Sequence, residues 1–217
     1  VLVSAHGDQN WWPADTPFEV IIGAILTQSV SWTNVEKCLK NLHDEGLVNQ
    51  DELHKKEVDE IACLIKSSRF YNEKAKKIKN FLDFLFDRYE GNLSIMSMEE
   101  LPILRELLLN IKGLGQETVD SILLYACNKP VFVVDAYTKR IFSRYGLVKE
   151  TAPYRDIQRF FMENLPQDIE LFNDYHAQIV YLGKNICKTQ PECKRCPIKK
   201  INKTKCRYIQ KYHPDIG

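Results

Sequence analysis

The segment EELPILRELLLNIKGLGQETVDSILLYA, residues 99–126, leaves this chain little freedom. Leu101, Leu104, Leu107 and Leu108 recur at helical spacing before its turn, and Val119, Ile122, Leu123 and Ala126 recur after it. Both stripes have the period of an amphipathic helix. Only IKGLG links them, so the two helices must fold back and pack stripe against stripe. Gly113 and Gly115 permit positive φ and close approach of the backbone to another molecule. Such a turn leaves the first N–H groups of the second helix exposed with the helix dipole behind them, a ready phosphate site. An ordinary corner between two helices uses the same glycines, so the turn alone names no partner.

Helical signals dominate the rest of the chain, and convincing period-two strands are absent. Thr16-Pro17-Phe18-Glu19 offers a capping hydroxyl, a proline at the first helical position and a glutamate placed to close a capping box. The helix it starts, FEVIIGAILTQ, is apolar on most sides and belongs at the centre of a core. Further helical patterns fall near 31–44, 57–66, 71–89, 98–110, 116–128, 135–145, 153–164 and 168–187. The expected fold class is therefore all-α with short connections. At 217 residues the chain suits one large domain or two small ones. No apolar run reaches the roughly 18 residues of a membrane span, and no secretory leader is visible, so an intracellular protein is expected.

The net charge of +1 conceals a segregated distribution. Ten Lys or Arg residues lie between Lys184 and Lys211 with only Glu192 against them. A second basic run, Lys66, Arg69, Lys74, Lys76, Lys77 and Lys79, has Glu73 as its single acid. Positive patches on a near-neutral protein fit a localised anionic partner such as a phosphate backbone, although solvated helix faces explain either run alone. Cys38, Cys63 and Cys127 sit in helical patterns among apolar neighbours and read as buried thiols. Cys187, Cys193, Cys196 and Cys206 form C-x5-C-x2-C-x9-C in the basic tail. Soft thiolates at this spacing point to metal. A [4Fe–4S] cluster is the first reading and zinc the second, because only Cys193 and Cys196 form the paired spacing usual for zinc.

A helix-hairpin-helix, an aspartate (Asp135) twenty residues after Gly115 and a four-cysteine tail now stand in order. Together with LTQSVSWTNVEKCLKNL, SRFYNEKAKKI and VFVVDAYTKRI, they resemble the endonuclease III superfamily of DNA glycosylases, the helix-hairpin-helix-GPD family. Within it, NWWPADTPFE, LTQ, KGLGQETVDSILLYAC and VVDAY are similar to the 3-methyladenine DNA glycosylase III branch. The x5 and x9 cysteine spacings depart from the usual pattern of endonuclease III. The resemblance implies two helical domains, residues 17–132 carrying six helices and the hairpin, and 1–16 plus 133–217 carrying the cluster loop, with the active-site cleft between them. It implies damaged double-stranded DNA as partner, a monomer in a prokaryotic nucleoid, a [4Fe–4S] cluster on the four tail cysteines and a monovalent cation at the hairpin.

By the same resemblance Gly113, Gly115 and the amides after them would hold phosphate, Gln28 would enter the vacated base stack and Phe70 would wedge the other side. Read without it, Gln28 is a polar residue at a helix end and Phe70 a core aromatic. Asp135 matches the catalytic aspartate, which stabilises an oxocarbenium-like sugar and orients or deprotonates water. Its simpler role is N-cap of a helix beginning at Ala136, and both can hold together. Trp11, Trp12, Pro13, Trp32 and Glu117 are the expected base-pocket residues, since indole faces attract a cationic alkylated purine; a clamp of the N-terminal arm onto the helical core would use the tryptophans equally. Endonuclease III carries a Schiff-base lysine where this chain has Glu117. A carboxylate forms no imine, so the implied enzyme is a monofunctional glycosylase for alkylated purines. A glycosylase for oxidised or mismatched bases is the alternative, and a non-catalytic DNA-binding or redox module is the reading from a different class.

Overall fold

The structure, a computed structural model, describes residues 1–9, 11–201 and 204–215. The fold is all-α. Among the described residues the regular strands are the short antiparallel pair β1 (Lys200–Ile201) and β2 (Thr204–Lys205). No helix among them is long and apolar enough to cross a membrane. The chain divides into two compact units, Ala14–Lys129 and Val1–Pro13 with Pro130–Gly217.

The Ala14–Lys129 unit is built around α2 (Pro17–Leu26), in which Phe18 and every residue from Val20 to Leu26 are buried. Its start follows the local code: Thr16 Oγ1 accepts from the Glu19 amide at 3.1 Å, while Glu19 reaches back to the Asp15 amide at 2.8 Å. Such a cap contributes on the order of 1 kcal/mol. Around α2 lie α3 (Trp32–Asp44), α4 (Gln50–His54), α5 (Val58–Leu64), α6 (Tyr71–Tyr89), α7 (Leu93–Met98), α8 (Leu101–Leu109) and α9 (Gln116–Ser121). The 116–128 pattern does not run on as one α-helix. After Ser121 it widens into a π-helical turn, Ile122–Ala126, closed by the Cys127 amide on the Ile122 carbonyl at 3.1 Å. That turn packs its apolar side against α2.

The other unit holds α1 (Leu2–His6), α10 (Ala136–Tyr145), α11 (Tyr154–Asn164), α12 (Ile169–Asn185), β1, β2 and α13 (Arg207–Tyr212). Phe132, Phe142, Phe161, Phe172 and Tyr175 form one aromatic cluster in which Phe132 stacks on Phe161 at 4.0 Å. Helices α10 and α12 pack through Gly183, where an added Cβ would stand 2.4 Å from the Tyr137 ring. A glycine there is what lets the two helices approach so closely.

Two expectations need correction. Cys63 is exposed, not buried: Ile61 and Ala62 occupy the inward side of the short α5, and the thiol turns out. Nor is the run from Lys66 to Lys79 one solvated basic face. Lys74 points inward with 2% exposure, Lys77 is half-buried, and Lys76 pairs with Glu73 at 2.8 Å. The period of α6 puts 74, 77 and 78 on its buried side, so charge in the sequence becomes internal hydrogen bonding in the structure.

Candidate active site

The hairpin joins α8 to α9 with Gly113 at φ 100°, a conformation that L residues rarely adopt. Gly115 is the N-cap of α9, its carbonyl accepting from the Val119 amide at 2.9 Å. Below the turn, Arg105 of α8 forks onto Asp120 of α9, Nε to Oδ1 at 2.7 Å and Nη2 to Oδ2 at 3.0 Å. The Asp120 side chain is fully buried. A bidentate pair with its carboxylate buried fixes the angle between the two helices. Arg105 and Asp120, opposite charges on facing helices, are a signal for this pair that the apolar stripes overshadowed.

Gln28 lies just past the end of α2, and its amide is engaged on both sides. Nε2 donates to Thr118 Oγ1 at 2.9 Å and to the Gly113 carbonyl at 3.5 Å, while Oε1 accepts from Lys77 Nζ. The Lys77 stem lies over Gly113, 2.5 Å from where a Cβ would be. Three residues further along α6, Asn80 Nδ2 donates to the Lys112 carbonyl at 2.9 Å, and one turn before Lys77, Lys74 Nζ donates to the Leu26 carbonyl at 2.7 Å. One face of α6 therefore ties the Gln28 turn to the hairpin. Burial pushes the Lys74 ammonium down to about 8.

Phe70 is 61% exposed, so it is not a core aromatic. It caps α6 at φ 57°, with the Arg69 guanidinium 4.9 Å from its ring centre. Ser29, beside Gln28, is also left-handed at φ 56°. Non-glycine residues in this region are strained by about 1 kcal/mol or more and cluster at functional sites. Trp32 opens α3 with Nε1 on Glu36 Oε1 at 2.9 Å, and Glu117 is exposed in the first turn of α9.

In the other unit Asp135 is the N-cap of α10. Its Oδ1 accepts from the Thr138 amide at 2.6 Å and from the Thr138 hydroxyl at 2.7 Å. Oδ2 faces His176 Nε2 at 3.7 Å. His176 belongs to α12 and is buried; burial pushes its pKa below the usual value, against the pull of the Asp135 carboxylate. The carboxylate thus has one oxygen locked and the other held beside a neutral imidazole. Nothing in the sequence marks His176, a single histidine within an amphipathic helix. Trp11 and Trp12 meet edge to face at 5.5 Å, and Pro13 next to them is exposed.

Cys187, Cys193, Cys196 and Cys206 all line one apolar cavity between α10, α12 and α13, with Ile141, Leu182 and Ile198 among its walls. Arg144 Nη1 lies 3.4 Å from Cys187 Sγ, and Cys206 Sγ donates to the Arg144 carbonyl at 3.4 Å. Burial pushes the Cys196 thiol up to about 11, and the other three thiols add to the rise. Among the described residues no three metal-ligating side chains stand together as a closed metal group. The donor chemistry nevertheless fits a thiophilic centre: all four cysteines line one apolar cavity, and as thiolates they would repel one another until a cation is bound.

The family described as HhH-GPD superfamily base excision DNA repair protein matches residues 22–167. The chain belongs to this superfamily. That span takes in the hairpin, Gln28, Phe70 and Asp135. A Methanocaldococcus jannaschii protein described as a candidate DNA repair glycosylase is 46% identical, over 93% of this chain and 92% of its own length. The 3-methyladenine DNA glycosylase of H. pylori, solved with 1,N6-ethenoadenine, superposes with a TM-score of 0.73 at 28% identity, covering 84% of this chain and 91% of that one. A trapped endonuclease III–DNA covalent intermediate shares the fold, with a TM-score of 0.81 at 24% identity over 97% and 92% of the two chains. At the level these likenesses reach, this HhH-GPD chain is a DNA glycosylase of base excision repair.

Proposed function

We propose that the enzyme is monofunctional: it turns an alkylated purine out of damaged duplex DNA, hydrolyses the N-glycosidic bond and leaves an abasic site in an unbroken strand. The observation that carries this reading is Asp135, a carboxylate with Oδ1 committed to Thr138 and Oδ2 beside a buried, neutral His176. As the bond from C1′ to the base breaks, the base keeps the bonding electron pair and the sugar becomes cationic. Asp135 stabilises that charge, orients water onto C1′ and takes the proton that water releases. A base methylated at N3 is already cationic and departs neutral, which removes the need for an acid on the leaving group. His176 is a positioning residue for the carboxylate.

Glu117 supports the monofunctional reading, because its carboxylate cannot form the imine that strand cleavage through a lysine needs. Flipping costs roughly a few kcal/mol. The hairpin glycines and α9 amides would grip the backbone, with a monovalent cation on the hairpin carbonyls, while Gln28 and Phe70 would fill the gap. Trp11, Trp12 and Trp32, with Pro13 and Glu117, are assigned to selecting a cationic base. The four tail cysteines would hold a [4Fe–4S] cluster, which when bound cross-links the basic loop that carries Lys188, Lys194 and Arg195.

Single-turnover base release over a panel of duplexes carrying 3-methyladenine, an oxidised purine, uracil or a mismatch tests the reading. Fastest release is expected from 3-methyladenine, with no borohydride-trapped adduct and no release by Asp135→Asn. Faster release of an oxidised, deaminated or mismatched base would replace the alkylpurine assignment. Iron and sulfide analysis with visible absorption tests the cluster: a colourless protein holding zinc overturns it.

A further inference from the structure

Two long helices of the Ala14–Lys129 unit begin without a side-chain cap: α3 after Ser31 and α6 after Phe70. The cap residue Ser31 and Asn34 of α3 and the first residue of α6, Tyr71, line one depression, together with Lys66, Ser68 and Arg69. Each start presents amides that the helix does not use. A second observation is independent of the helix ends. Ser68 is 1% exposed and its hydroxyl has no hydrogen-bond partner among the described residues, although it lines this depression. A buried hydroxyl left without a partner is costly unless something supplies one. Lys66 and Arg69 are exposed and neither has a carboxylate partner among the described residues, while Glu73, the acid in the first turn of α6, is turned to Lys76. No carboxylate lines the depression.

The geometry points to a phosphate site separate from the hairpin. The depression takes a backbone phosphate of duplex DNA on the Ser68 hydroxyl and the leading amides of α6, beside the Ser31 cap of α3, with Lys66 and Arg69 supplying charge. Its position gives it a task. Ser29, next to Gln28, and Phe70 both line it and both hold left-handed backbone. A phosphate seated there sets the register of the two residues assigned to the base stack, so the inference rests on that assignment.

The test is binding of an undamaged duplex across a salt series, with Ser68→Ala, Lys66→Gln and, as a control, Lys40→Gln, whose side chain pairs with Asp44 on α3. Ser68→Ala is expected to weaken binding about tenfold, the usual size for a hydrogen bond to a charged group, without changing the salt slope. Lys66→Gln is expected to reduce the slope of log K against log salt by about 0.9. Lys40→Gln should match the parent, and thermal melting identifies any variant that misfolds. Amide spectra of the parent titrated with inorganic phosphate give a readout that needs no DNA: Ser31 and Tyr71, which line the depression, should shift in the parent and not in Ser68→Ala. Parent-like binding by both variants, or still amides under phosphate, overturns the site. Moving amides in a parent that fails to bind duplex DNA would leave the site standing and sink the glycosylase reading instead.

Discussion

Replacing Lys74 with methionine should flatten the protein's response to alkaline pH. The Lys74 side chain is 2% exposed, and its Nζ donates to the Leu26 carbonyl at 2.7 Å. Burial, the largest cause, pushes its pKa from 10.5 to about 8, with Lys77 adding to the fall and Cys38 opposing it. Below pH 8 the lysine is protonated in both the folded and the unfolded chain, and the cost of burying the charge is present in full. Between about 8 and 10.5 the unfolded chain holds the proton and the folded one has lost it, so stability rises with pH. Above that range both are neutral and the cost is gone. The separation corresponds to about 3 kcal/mol. Methionine keeps the length of the stem and has nothing to titrate; it leaves the Leu26 carbonyl without its donor, an offset of about 1–3 kcal/mol that does not vary with pH. Urea denaturation of parent and Lys74→Met at matched pH values measures the difference directly. The parent should gain about 3 kcal/mol on the variant between pH 7 and 10.5. Parallel stability curves would show that Lys74 is not a buried ammonium, and that its hold on the end of α2 is no different from that of a neutral side chain.

Gly113→Ala places a Cβ 2.5 Å from Lys77 Cγ at a φ of 100°. It should cost about 1–3 kcal/mol by thermal denaturation and displace Lys77 from Gln28; an unchanged melting temperature contradicts this. Arg105→Met leaves the Asp120 carboxylate buried without its guanidinium and should destabilise by about 3 kcal/mol in urea. A loss below about 1 kcal/mol would mean that the pair does not set the hairpin angle. Glu117→Lys introduces an amine at the hairpin position to which the proposed reading assigns the lack of imine chemistry, and a borohydride-trapped protein–DNA adduct should appear with damaged duplex; its continued absence counts against that assignment.

The long elements could be read from the sequence because their stripes repeat over several turns. Helices α2, α3, α6, α8 and α10 to α12 all fall within a few residues of the expected bounds. Helices α1, α4, α7 and α13 are only five or six residues long, too short for a period to register. The π-helical turn was also hidden, since Ile122–Ala126 is mostly apolar and a wider turn changes no residue type. At the site, glycines, cysteines and Asp135 were legible because few residues can replace them chemically. Lys74, Lys77 and Asn80 were not, for a lysine in a charged run looks solvated until the helix turns it inward. Arg105, Asp120 and His176 gain their meaning only from partners that the fold brings to them.

The unit holding Asp135 is assembled from two distant parts of the chain, whereas Ala14–Lys129 is one uninterrupted run. Synthesis proceeds from the N-terminus, so the first thirteen residues emerge early and then wait. The Gly7 carbonyl has no Gln178 to accept from, and the His6 ring no Tyr181 ring to pack against, until α12 has been made. The hairpin and its α6 supports are complete long before Cys187 leaves the ribosome. Assembly therefore has a direction: the hairpin unit can form first, and Asp135, its histidine and the cysteine loop come last. A nascent chain interrupted after Lys129 would hold the hairpin and its α6 supports without Asp135, His176 or any of the four tail cysteines.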